Sequence, residues 1–154
     1  MTRTSLKDTN CSWAQGAEAI GDKWTILILR DALRGVNTFS GFAKGIGVSK
    51  KVLSQRLDHL HSSGLLAKEP TEAGSSRMTY QLTDKGLALF PVMVALGQWA
   101  DRWVYGDGNQ PMIPVDRRTR QPLDEVVITS EGRGPLTSSD VTLLRNDEQV
   151  LARD

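Results

Sequence analysis

Cysteine is almost absent from this chain, which has one, Cys11, in 154 residues. That excludes an internal disulfide framework and favours a reducing compartment. Histidine is nearly as scarce. The two present, His59 and His61, stand two residues apart, face different sides of a helix and do not form the i, i+4 pair of a helical zinc site. There is no G-x-S-x-G, no phosphate-binding glycine loop and no C-x-x-C. A thiol oxidoreductase built on Cys11 alone would lack a resolving cysteine. Long apolar runs are missing too: stretches such as Val92 to Leu96 are far too short to cross a bilayer. The residues Met1 to Ser5 lack the apolar stretch of a secretory signal. These absences lead to the expectation of a cytoplasmic, non-enzymatic protein with no cofactor, no metal and no membrane partner.

What is present suits a folded domain, with 39% hydrophobic and 24% charged residues. A net charge of +1 conceals a polarity along the chain. Residues 1–104 carry thirteen Lys/Arg against nine Asp/Glu, whereas residues 105–154 carry six against nine. A basic body with an acidic tail permits a nucleic-acid partner without requiring one.

Apolar spacing predicts a mainly helical body. Trp13, Ala17 and Ile20 form one stripe on a short first helix, about Ser12 to Ile20. Asp22 is placed to cap a second helix, Trp24 to Leu33, which is apolar nearly all round and therefore expected to be buried, with Gly35 ending it. A short helix from Phe39 to Lys44 follows, then the interruption Gly45-Ile46-Gly47-Val48, then Ser49 capping a periodic helix with Leu53, Leu57 and Leu60 on one face and Gly64 at its end. Helix, glycine-containing turn and second helix make a helix-turn-helix. Two strands, Leu65 to Glu69 and Arg77 to Leu82, flank a Gly/Ser-rich hairpin tip. A long helix capped by Thr83 runs from Asp84 to about Tyr105, bent at Pro91. The expected fold is α+β: a winged helix-turn-helix over 1–105, then a small strand-rich extension over 106–154, its strands drawn from Val126 to Ile128 and Val141 to Leu144.

The order Cys11, Gly21-Asp22-Lys23-Trp24-Thr25, Phe39-Ser40, Ser49-Lys50-Lys51-Val52-Leu53-Ser54-Gln55-Arg56-Leu57 and Leu82-Thr83-Asp84-Lys85-Gly86 closely resembles the HxlR-type transcriptional regulators, bacterial relatives of the MarR group. The resemblance covers about residues 10–104 and implies a dimeric winged-helix DNA-binding regulator of the cytoplasm. Gly41 departs from it, since a carboxylate is usual there, and should loosen its helix by up to ~1 kcal/mol. Cysteines found in some relatives' extensions are missing from this tail, which removes a zinc site there on ligand grounds.

On the helix after Ser49, about 100° per residue puts Lys51 and Gln55 opposite the leucine face, with Ser54 beside them. Lys51, Ser54 and Gln55 are therefore the candidates for base contact in the major groove of a double-stranded DNA operator. Ser49 and Lys50, at the positive helix end, suit phosphate. Arg56 lies beside the apolar face, where it either reaches a phosphate or pairs internally with an acid. At the hairpin tip Ser75, Ser76 and Arg77 can touch the backbone or the minor groove. Asp58 repels phosphate, so the helix should enter by its first half.

Leu89, Val92, Leu96, Trp99 and Trp103 follow one another at heptad-like spacings, a seam that needs a cover: either the body of the same chain or the same helix of a second copy, assisted by the first helix. A homodimer predicts a near-palindromic operator. Cys11, just before the first helix, sits where helix N–H groups favour a thiolate. The resemblance implies an oxidant or electrophile sensor there; the alternative is an inert packed thiol, with a small metabolite as the rival effector. The other functional reading is a winged-helix module that binds protein and not duplex DNA.

Overall fold

The computed structural model describes residue 6 and residues 9–106 and 108–143. It divides into two units, Met1–Leu96 and Gly97–Asp154. The first contains helices α1 (Ser12–Ile20), α2 (Lys23–Leu33), α3 (Phe39–Ile46) and α4 (Lys50–Ser62), strands β1 (Leu66–Pro70) and β2 (Met78–Leu82), a short α5 (Asp84–Leu87), and most of α6 (Phe90–Ala100). This order is that of a winged helix-turn-helix.

Local chemistry sets the helix boundaries. The Asp22 carboxylate accepts the Trp24 and Thr25 N–H groups at 3.0 and 3.2 Å, satisfying two donors that α2 itself leaves open. At the other end the Gly35 and Val36 N–H groups donate to Ala32 and Asp31 carbonyls. Gly64 and Leu65 close α4 in the same way, donating to His61 and Leu60, a paired C-terminal arrangement that needs a left-handed residue. Between α3 and α4 that left-handed residue is Gly47, at φ 69°. Gly45, expected to interrupt the helix, stays helical. Its missing side chain serves packing, because a Cβ there would lie 2.6 Å from the Asp31 Oδ2 of α2.

The core is one cluster: Ile28 and Leu29 from α2, Phe42 from α3, Leu53, Leu57 and Leu60 from α4, and Leu65, Leu66 and Tyr80 at the hairpin. Phe42 and Tyr80 meet edge to face with centroids 6.3 Å apart, a favoured aromatic geometry. β1 and β2 pair antiparallel with Leu66 opposite Leu82 and Lys68 opposite Tyr80. Thr38 bridges to Thr79, and the Tyr80 N–H donates to Asn37 O at 2.8 Å, so the segment before α3 fastens onto the wing. α2 is less enclosed than its composition suggested: only Thr25, Ile28, Leu29 and Asp31 are buried. The buried carboxylate, Asp31, is paired with Arg30 at 2.9 Å and faces Arg34 at 3.6 Å.

The expected single helix from Asp84 to Tyr105 is three pieces. α5 stops at Leu87, α6 starts at Phe90, and a π-helical turn, Asp101–Tyr105, follows α6. Pro91 accounts for the break. It has no N–H to give Leu87 O, but fits the first turn of a new helix, where that donor is not needed. Gly86 in α5 lies so close to Leu65 O that no side chain fits. The restart resets the helical phase. Leu89 and Met93 turn onto the core, while Leu87 and Phe90 are exposed. Leu89, expected in the dimer seam, belongs to the core instead.

In the second unit the Gln98 side chain holds the segment 124–126, donating to Asp124 O and accepting the Val126 N–H, both at 2.8 Å. Two short strands, β3 (Thr129–Ser130) and β4 (Arg133–Pro135), pair antiparallel around Gly132. Neither lies in the apolar runs expected to form strands: Val126 to Ile128 and Val141 to Leu143 are irregular and exposed, and Leu144 falls outside the described residues. A second turn, closed by a Val115–Pro122 bridge, carries residues 116–121.

Candidate nucleic-acid interface

The face of α4 opposite its leucines is built by periodicity and a cap. Leu53, Leu57 and Leu60 are fully buried. Ser49, Lys50, Lys51, Ser54 and Gln55 are all exposed. The Ser49 hydroxyl accepts the Val52 N–H at 3.4 Å, capping the helix and leaving the remaining first-turn N–H groups pointing outward. Among the described residues, Lys50, Lys51, Ser54 and Gln55 have no side-chain hydrogen bond or ion pair. They are thus available for an outside partner, and two of them are cationic.

Four neighbouring polar groups are committed internally, and each commitment positions α4. The Arg56 guanidinium lies 3.0 Å from Asp22, the residue that caps α2. Of the two roles open to Arg56, the structure shows the internal one, which engages part of its guanidinium. Its position beside the leucine face brings it to the N-terminus of α2 instead of the outer surface. His59 contacts Ala19 O at 3.0 Å, tying α4 to α1, and His61 contacts Leu66 O at 3.1 Å, tying it to the wing. Asp58, expected only to repel phosphate, binds Lys68 of β1 at 3.0 Å. That bond is the chief cause that raises the Lys68 pKa above its ordinary value.

At the hairpin tip the three expected residues separate. The Ser75 hydroxyl accepts from Thr71 Oγ1 and from the Arg77 N–H, both at 3.0 Å. It shapes the turn through its two acceptor positions, which leaves only its O–H to donate to an outside partner. Ser76 and Arg77 are exposed, and Arg77 has no acidic partner among the described residues.

Away from this face, apolar side chains are left uncovered. Trp13 on α1 is 69% exposed and, within the first unit, Val92 and Leu96 of α6 are exposed as well. In the second unit Trp99 and Trp103 are 58% and 70% exposed. Cys11 occupies the N-cap of α1, is exposed, and makes no side-chain capping bond. Sequence reasoning missed Asp31 and the Asp58–Lys68 bond, because both depend on which elements meet in space. No three His, Cys, Asp or Glu side chains converge as a metal site among the described residues, and no helix there is long and apolar enough to cross a membrane.

Comparison with known proteins agrees with this geometry. Residues 19–107 match the model of the HxlR-like helix-turn-helix family. An uncharacterized HTH-type transcriptional regulator of Mycobacterium tuberculosis is 38% identical over 131 residues, 85% of this chain and 83% of the relative. The crystal structure of PA1607, described as a candidate transcription factor, superposes with a TM-score of 0.86 at 36% identity, covering 93% of this chain and all of that one. The transcriptional regulator YodB of Bacillus subtilis, in its reduced form, superposes with a TM-score of 0.52 at 28% identity over 60% of this chain and 93% of YodB. YodB has also been solved after diamide treatment.

Proposed function

Because the chain belongs to the HxlR-like helix-turn-helix family and is a transcriptional regulator of that winged-helix type, and not an enzyme, we propose that it acts as a homodimeric repressor on a near-palindromic DNA operator. The observation that carries this reading is the outer face of α4, where Lys50, Lys51, Ser54 and Gln55 are exposed and have no partner among the described residues, while the neighbouring polar groups are bound internally. Unpaired donors on a helix held at four points are preorganised for a groove, since little side-chain pairing must break before contact.

In this reading Lys51, Ser54 and Gln55 read base edges, with Lys suited to guanine and Gln to adenine. Ser49, Lys50 and the first-turn N–H groups hold phosphate, and Ser76 and Arg77 touch the flanking backbone. Val92 and Leu96, with Trp13 and the exposed Trp99 and Trp103, meet their counterparts in a second copy. Exposed tryptophan at this level is unusual on a soluble monomer. Two-fold symmetry then spaces the half-sites by one helical turn or a multiple of it. The exposed Cys11 serves as an oxidant or electrophile sensor; a small metabolite is the rival signal.

The testing experiment is a mobility-shift assay on DNA from the gene's own upstream region, with unrelated duplex as competitor. A selective, salt-sensitive shift is expected. Binding to no duplex, or to all alike, would turn the reading towards a protein-binding winged helix.

A further inference from the structure

The acidic second unit carries one concentrated basic feature, the turn Asp116-Arg117-Arg118-Thr119-Arg120-Gln121. Its backbone is fastened at several points. The Asp116 N–H donates to Gln121 O and the Arg120 N–H to Asp116 O, both at 2.8 Å, and Leu123 N–H donates to Pro114 O at 2.9 Å. The Asp116 carboxylate accepts the Arg118 and Thr119 N–H groups at 2.8 and 2.6 Å and the Thr119 hydroxyl at 3.0 Å. Those bonds, the Thr119 backbone first among them, hold its pKa below the ordinary value. The one acid of the turn is thus occupied by the turn itself. Arg117, Arg118 and Arg120 are exposed and have no acidic partner among the described residues.

Arg120 adds a second observation. It is the one non-glycine residue with positive φ, 61°, among the described residues, a conformation that glycine or asparagine adopts at less cost. An arginine at such a position points to use of its side chain. The six residues of the turn contain no apolar side chain, so the turn lacks the buried anchors of a protein interface. Guanidinium forks on a rigid loop match phosphate oxygens instead.

We infer that the 116–121 turn is a second DNA-contacting element, which grips backbone phosphates flanking the half-sites through Arg117, Arg118 and Arg120 without reading sequence. This rests on the duplex-binding reading above and extends it to the acidic tail. Phosphate contacts of this kind raise affinity equally for all flanking sequences and steepen its salt dependence.

The test uses the full-length protein and two duplexes: one trimmed to the footprint found on the upstream region, the other carrying about ten further base pairs at each end, roughly one helical turn. Fluorescence anisotropy is followed through a salt titration. The variant R117Q/R118Q is expected to bind the extended duplex roughly tenfold or more weakly, its log–log salt slope shallower by about 2 for each turn engaged. Its binding to the trimmed duplex should match the wild type. R120G should weaken the extended complex a few-fold while its thermal midpoint stays equal or rises, since glycine relaxes the positive φ. Equal behaviour of variants and wild type on both duplexes, equal losses on both, or a fall in the R120G midpoint would overturn the inference. Failure of the wild type to bind either duplex would instead sink the DNA-binding reading itself.

Discussion

Gln55→Ala separates recognition from folding at one position. Gln55 is exposed, lies one turn beyond Lys51 on the outer face, and has no partner among the described residues. The inner face of α4, Leu53, Leu57 and Leu60, is untouched by the change. Alanine is the better helix former by a few tenths of a kcal/mol, so the thermal midpoint should hold or rise slightly. A bidentate base contact is worth about 1–3 kcal/mol. A symmetric dimer loses it in both half-sites, about 2–6 kcal/mol, or roughly 30-fold to ten-thousand-fold in affinity at ~1.4 kcal/mol per decade. Anisotropy at fixed salt, with the operator and a set of symmetrically substituted operators, reads this out. The variant should become indifferent to one base pair per half-site while keeping wild-type preferences elsewhere. Uniform weakening across all sequences would place Gln55 on phosphate, and unchanged binding would remove it from the interface; either result refutes the assignment.

Four further outcomes are expected. Light scattering at micromolar concentration should give twice the 16.9 kDa chain mass, and Trp99→Ser with Trp103→Ser should shift it toward the monomer. Cys11→Ser should abolish operator release by diamide, and should not destabilise α1, because serine at an N-cap is favourable and Cys11 makes no capping bond. Asp22→Ala should cost about 2–4 kcal/mol in urea unfolding, since it removes two capping bonds and leaves the half-buried Arg56 without its partner. The raised Lys68 pKa gives stability that is complete below the ordinary lysine value and lost as pH climbs through the folded one. The difference in urea midpoint between wild type and Asp58→Asn should therefore shrink in strong alkali, and a difference that grew there would contradict the Lys68–Asp58 bond.

The parts of the fold that were legible in the sequence are those governed by neighbours along the chain. The Ser49 cap, the leucine triad and the closing Gly64 lie within sixteen residues of one another, and together they settle which side of α4 faces out. The break at Pro91 was only half legible. A proline inside a helical pattern can bend a helix or end it, and the choice depended here on whether Leu89 and Met93 could both reach the core. In the tail the apolar runs misled, because the β3–β4 pair forms around the left-handed Gly132 and not where side chains are hydrophobic. Arg56 shows the other limit. Its angular position on α4 left two partners open, and only the meeting of α4 with the start of α2 decided for Asp22.

Guanine N7 lies in the major groove, so dimethyl sulfate protection on the bound upstream fragment tests the placement of α4 most directly. Two protected patches are expected, one helical turn or a small multiple apart, both lost in Lys51→Ala. Undiminished methylation across a fragment the protein demonstrably occupies would contradict insertion of the Ser49-capped helix into that groove.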